Sequence, residues 1–187
     1  MPTHIALLRG INVGGRNRVT MAELRDLLTG LGHADVSTYI QSGNVVFTPA
    51  PDASATALAE EMSAAIASEL GVTAPVVVLT REELAGVVKA NPFPEEENRK
   101  CLHAVFLARP ASQDLLDRIA AAVRSVAAKG SRDCAVAVGR TLYLHTPGGY
   151  GTSDLAKALL LLTSSPQAGA GTARNWATVL KLLELCG

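Results

Sequence analysis

Four polar segments of this chain carry residue types able to do chemistry. The first is Arg9-Gly-Ile-Asn-Val-Gly-Gly-Arg-Asn-Arg18. Its glycines let backbone N–H groups converge on an anion, and Arg9, Arg16 and Arg18 supply charge. No acidic residue occurs from Met1 to Ala22. The chemistry suited to this segment is binding of a small anionic ligand, a nucleotide or a phosphorylated metabolite. It is not a P-loop. Gly10 and Gly15 have that spacing, but Arg16-Asn17 stands where Lys and Ser/Thr are needed, and the next helix begins too late, near Thr20. The glycines also fit a turn that needs φ > 0, but three arginines exceed what a turn requires.

The second segment, Ser42-Gly43-Asn44, reads first as a hairpin turn; with Gln41 it sets three polar side chains at one end of a strand pair. The third, Pro147-Gly-Gly-Tyr-Gly-Thr-Ser153, runs into a helix at Asp154. Its hydroxyls suit phosphate, but Asp154 would repel an anion, so Ser153 reads as an N-cap. The fourth, Thr172-Ala-Arg-Asn-Trp-Ala-Thr178, places the single Trp at a strand-to-helix junction. Asn175 is the expected N-cap there and Trp176 an anchor between helix and sheet. A charged residue at a strand end, Arg174, pairs or binds something. The expected ligand set is therefore Arg9, Asn12, Gly14, Gly15 and Arg16, with Asn44, Arg174 and Asn175 as second contributors.

Catalytic templates fail: there is no HExxH, GxSxG or CxxC. Tyr143 and His145 alternate on one hairpin strand and share a sheet face, which makes them an acid–base pair if the chain is an enzyme. Glu95 to Glu97 read as a solvated run. Cys101, Cys134 and Cys186 are odd in number and far apart, so neither a disulfide framework nor a metal site is expected, nor any cofactor. The residues fit three buried thiols in a reducing cytoplasm.

Those residues must be positioned by regular elements, and the chain spells a similar series twice. His4 to Gly10 reads as a strand. Thr20 with Glu23 forms a capping box, and Met21, Leu24, Leu27, Leu28 and Leu31 follow at helical spacing up to Gly32. Val36 to Gln41 and Val45 to Thr48 flank the turn. Leu58, Met62, Ile66 and Leu70 mark a helix closed by Gly71; Pro75 to Leu79 is a strand; Thr80 and Glu83 cap a third helix. Asn91 to Lys100, with two prolines and three successive glutamates, interrupts the pattern as a linker. After it come a strand at Leu102 to Ala108, a helix from Ser112, a hairpin around Gly139-Arg140, a helix through Leu155 and Leu159, a weak strand at Gly171 to Arg174 and a last helix. Corresponding elements are offset by 98 (His4, Leu102), 92 (Thr20, Ser112), 96 (Gly43, Gly139) and 95 residues (Arg81, Trp176). Near-constant spacing indicates an internal duplication. Each copy has the β-α-β-β-α-β order of a ferredoxin-like split βαβ, with a trailing helix. The expected fold is α+β: two tandem ferredoxin-like subdomains, 1–93 and 101–187, joined by a linker at 94–100 and packed into one body. One face of each sheet is expected to carry helices, the other to lie open or to pack on its twin.

Composition bounds the partners. The 187 residues carry 17 Lys+Arg and 17 Asp+Glu, so the formal net charge is zero. With aromatics at only 4%, this argues against nucleic-acid binding. The longest apolar stretch, Ala158 to Leu162, is far too short to span a bilayer, so no membrane partner is expected and the chain reads as cytoplasmic. Alternatives to ligand binding are an enzyme without a known template and an interaction or dimerisation module; oligomeric state stays open.

Three stretches together resemble one bacterial family, domain of unknown function 1697: RGINVGG at Arg9 to Gly15, YIQSGNVVF at Tyr39 to Phe47, and T-x-RNW-x-T-V at Thr172 to Val179. The resemblance runs from His4 to about Leu185 and is weakest at the second glycine-rich loop. It implies an α+β fold with two related halves, and carries no reaction, ligand or site residue with it.

Overall fold

A computed structural model describes residues 1–50 and 53–187. Hydroxyl caps begin several of the helices. Thr20 accepts from the Glu23 N–H at 3.1 Å while the Glu23 carboxylate accepts from the Thr20 N–H at 2.9 Å. Thr80 and Glu83 repeat this reciprocal pair, and Ser54, Ser112 and Ser153 cap three more helices. Each cap satisfies N–H groups that have no intrahelical partner. The resulting order is β1 (His4–Leu8), α1 (Met21–Gly30), β2 (Ala34–Tyr39), β3 (Asn44–Thr48), α2 (Ala55–Leu70), β4 (Val76–Thr80) and α3 (Arg81–Lys89). There follow β5 (Leu102–Phe106), α4 (Gln113–Ala127), β6 (Cys134–Val138), β7 (Thr141–His145), α5 (Asp154–Leu162), β8 (Thr172–Asn175) and α6 (Trp176–Leu185). The described residues thus form an α+β fold with two four-stranded antiparallel sheets and six α-helices.

The chain divides into two units: Met1–Gly86 with Lys181–Gly187, and Val87–Leu180. These are not the segments 1–93 and 101–187 drawn from the sequence. The division falls inside α3 and inside α6. The stretch 91–100 also belongs to the second unit rather than standing between two.

In the first unit the strand order is β2-β3-β1-β4. Ala6, Leu8, Val45, Phe47 and Val78 pack against Leu24 and Leu28 of α1 and Leu58, Met62 and Ile66 of α2. The alternate residues, Ile5, Leu7, Val46, Val77 and Leu79, are buried as well. The strands β1, β3 and β4 therefore have no open face. Runs such as IALL and VVVL are apolar at every position, the mark of a strand buried on both sides. Only the edge strand β2 is polar, and a left-handed Asp35 and a register shift between Ala34 and Ser37 blunt it against further pairing.

The second unit repeats the arrangement as β6-β7-β5-β8. Val105, Leu142 and Leu144 pack on Leu115 and Ile119 of α4 and Leu155 and Leu159 of α5. On the other face Phe106, Tyr143 and Arg174 are buried. No helix of the described residues is long and apolar enough to cross a membrane.

Candidate functional site

The connection from β1 to α1 is a short braced tongue. Gly10, Asn12, Gly14, Gly15 and Asn17 all have φ between 51° and 75°. The Arg16 N–H donates to Val13 O at 3.0 Å, closing a turn whose two central residues are both left-handed, which is type I′. The Asn12 side chain fixes its base. Its amide donates to Val19 O at 2.8 Å and Gln41 O at 2.9 Å, and its oxygen accepts from the Val19 N–H at 3.0 Å. Asn17 donates to Gly10 O at 2.9 Å. Val13 to Arg18 are exposed.

The β2–β3 turn locks onto this tongue. Gly43 has φ +78° and its carbonyl accepts from the Leu8 N–H at 2.8 Å. A Cβ there would lie 2.7 Å from Leu8 Cβ and 2.9 Å from Ile11 Cδ1, so the close approach itself requires glycine. The RGINVGG and QSGN motifs thus meet at one end of the first sheet. Arg9 is half-buried, and desolvation lowers its guanidinium pKa. Arg16 and Arg18 are exposed. Asn44 is wholly buried and donates to Tyr39 O at 3.0 Å and Ser42 Oγ at 2.9 Å. Asn12 and Asn44 therefore shape the loop ends, while Gly14, Gly15 and Arg16 are presented. One residue here was not marked in the sequence: Ile40, a β-branched residue at φ +51° that is 51% exposed. Nothing in its type signals a left-handed position.

Arg174 and Asn175 lie in the second unit, so the expected ligand set divides between the units. Arg174 sits on β8 opposite Ala104, where burial pulls its pKa down to about 10. Its guanidinium donates to Thr172 Oγ1 at 2.7 Å and Ala173 O at 2.9 Å. Asn175 caps α6 through the Ala177 N–H at 2.9 Å and donates to Arg99 O at 3.0 Å. Trp176 is buried beside Tyr143, ring centroids 6.2 Å apart.

Two other expectations change. Tyr143 is buried and its hydroxyl donates to Val87 O at 2.7 Å, which holds the ring as a structural anchor. The Glu95–Glu97 run is not uniformly solvated: Glu96 is half-buried and its Oε2 lies 2.6 Å from His145 Nε2. Phe93 stacks on the same imidazole. The linker reading missed this because the partner is 49 residues away. In the second glycine-rich loop Ser153 caps α5 and donates to Asp133 at 2.7 Å. Tyr150 stacks on the buried His103 with centroids 4.0 Å apart. Among the described residues no group of three or more His, Cys, Asp or Glu could hold a metal ion.

The two halves provide an internal comparison. The β1–α1 connection, Arg9 to Thr20, has twelve residues; the β5–α4 connection at the equivalent place, Leu107 to Ser112, has six. Six residues suffice to join such a strand to such a helix, so the tongue exceeds its connecting role.

Fold and site together define a two-unit α+β protein with a braced, arginine-bearing tongue at one end of its first sheet. The chain belongs to the family described as "Protein of unknown function (DUF1697)", whose profile matches residues 1–143. That match stops short of the Thr172–Val179 motif. Among solved structures the chain is similar to "conserved bacterial protein SP0830 from Streptococcus pneumoniae", with 26% identity, a TM-score of 0.70, and coverage of 100% of this chain and 99% of that one. No curated protein matches it.

Proposed function

We propose that the chain binds a small anionic ligand, a nucleotide or phosphorylated metabolite, at the tip of the tongue. The observation that carries this reading is the twelve-residue connection where its counterpart needs six. The extra residues bring Gly14, Gly15 and Arg16 into solvent on a base held by Asn12. The N–H groups of Gly14 and Gly15 donate to no acceptor among the described residues, so they are available to an anion at no cost in existing bonds. Arg16 adds a planar fork that matches a phosphate edge. Support for the duplicated ferredoxin-like module comes from the shared strand order, 2-3-1-4 in the first unit and the equivalent 6-7-5-8 in the second. A cytoplasmic setting agrees with three free cysteines.

The test is calorimetric titration with inorganic phosphate, a nucleoside triphosphate and a sugar phosphate. Arg16→Ala should weaken binding roughly tenfold or more, the worth of a charge-assisted hydrogen bond. Saturable binding unchanged in Arg16→Ala would reject the tongue as the site. Absence of binding by all three anions would favour a second reading, a protein interaction surface, which has its own observation: Val13 and Ile40 are 66% and 51% exposed beside the same loop.

A further inference from the structure

Strand register assembles a different cluster in the second unit. Cys134 stands directly opposite His145 across the β6–β7 ladder. Opposed residues share a sheet face, with Cβ atoms about 4.5–5.5 Å apart. Glu96 Oε2 holds His145 Nε2 at 2.6 Å, and Phe93 stacks on the ring at 5.0 Å between centroids. The bond from His145, then one from the Asn98 N–H at 2.7 Å, keeps the Glu96 carboxyl below the usual carboxylate range. An ionised carboxylate only accepts, so Nε2 carries a hydrogen toward Glu96 and Nδ1 is the ring nitrogen turned away from it. His145 Nδ1 makes no hydrogen bond among the described residues. Carboxylate and imidazole are in contact and the thiol stands opposite on the next strand, the three residue types by which a base activates a sulfur nucleophile.

The other thiols supply an internal contrast. Cys101 and Cys186 are buried, and their Sγ atoms face Pro147 O and His4 O, each at 3.9 Å. Cys134 is partly exposed and donates to no acceptor among the described residues.

We propose that Glu96, His145 and Cys134 form a thiol-exchange site at which Cys134 is modified by low-molecular-weight disulfides. His145 Nδ1 takes the Cys134 proton as Sγ attacks one sulfur of the small disulfide. The S–S bond breaks, its electron pair leaves on the second sulfur, and that thiolate takes the proton back from the imidazolium. The products are a mixed disulfide on Cys134 and one small thiol, with no net oxidation of the pair. Glu96 acts as a positioning residue that fixes the tautomer.

The full chain is exposed to oxidised glutathione at pH 7 and mapped by peptide mass, and the rate of iodoacetamide alkylation is followed in parallel. Modification should fall on Cys134 and spare Cys101 and Cys186; Cys134→Ser should remove it. His145→Gln should slow alkylation roughly tenfold, a modest share of what a positioned base supplies, and added imidazole should restore part of that rate, which a packing role would not. Glu96→Gln keeps the side chain's shape, and a slower rate with an unchanged unfolding midpoint supports the assignment even if His145→Gln fails to fold. Equal alkylation rates in wild type and Glu96→Gln, or modification at Cys101 or Cys186 instead, would overturn it.

Discussion

Replacing Gly43 by Ala tests whether the tongue and the β2–β3 turn are one rigid unit. Three costs follow from the geometry. An L-residue at φ +78° in the left-handed region loses about 1–2 kcal/mol. The new Cβ would sit 2.7 Å from Leu8 Cβ, which is the root of a side chain on β1 and not a tip that can swing away. Overpacking of that kind costs about 1–3 kcal/mol. Any shift that relieves it stretches the 2.8 Å bond from the Leu8 N–H to Gly43 O, worth about 0.5–1.5 kcal/mol. The contributions overlap, so about 3–5 kcal/mol is expected, a large part of the roughly 5–15 kcal/mol that stabilises an ordinary domain. Gly15→Ala is the matched control. It has nearly the same backbone, φ +75°, but nothing lies within 4 Å of the added Cβ. Only the conformational cost of about 1–2 kcal/mol should remain. Urea unfolding followed by far-UV circular dichroism measures both. Two variants that agree within about 0.5 kcal/mol would refute the close-approach argument, since that is the scatter of independent substitutions.

Two further outcomes test the neighbouring chemistry. Asn12→Ala should cost about 2–3 kcal/mol, because it removes the bonds to Val19 and Gln41 together, and should speed amide exchange at Val19 N; Asn12→Gly, which accepts the left-handed φ of 53°, should recover the backbone part alone. Burial pushes the His103 imidazole down from 6.5 to about 4, so the unfolded chain takes up its proton first as pH falls. The stability this neutral residue allows at pH 7 is then lost between about pH 6.5 and 4, roughly 2 kcal/mol of it by pH 5; urea midpoints at pH 7.5 and 5 should converge in His103→Phe, which keeps the ring stacked on Tyr150.

What the sequence makes legible is what local chemistry decides. The Thr20–Glu23 and Thr80–Glu83 boxes, the Gly71 cap with φ +66° and the Ser153 and Asn175 caps all lie where short-range patterns put them. The repeated element order is legible for the same reason, since caps and apolar spacing recur in both halves. Distant partners are not. Glu96 looks like any solvated acid until the β7 strand brings His145 to it. Tyr143 looks titratable until Val87 O takes its hydroxyl. The unit boundaries fall inside helices, and hydrophobic periodicity carries no record of which core receives which turn. Asn12 shows the same limit at the candidate site: its type suits a ligand, but its side chain is spent on Val19 and Gln41.

Burial on both faces of each sheet narrows where recognition can occur. Ile5, Val46 and Leu79 in the first unit, and Phe106 and Tyr143 in the second, are as buried as the residues that face the helices. The central strands of each sheet therefore offer no open face among the described residues. The edge strand β2 offers little more, because it is polar and carries a left-handed Asp35. What remains is the connections at the strand ends, the usual home of binding groups on a rigid scaffold. Two such ends depart from what a connection needs: the twelve-residue tongue after β1 and the His145–Glu96 clasp at the end of β7. The departure differs in kind. The tongue adds length, exposed arginine and glycine, and it is built to present. The clasp adds nothing in length but spends a glutamate and a phenylalanine to fix one imidazole opposite one thiol. Backbone that merely joined elements would require neither, so substitutions at Arg16 and at Glu96 should alter recognition and reactivity while leaving the two cores intact.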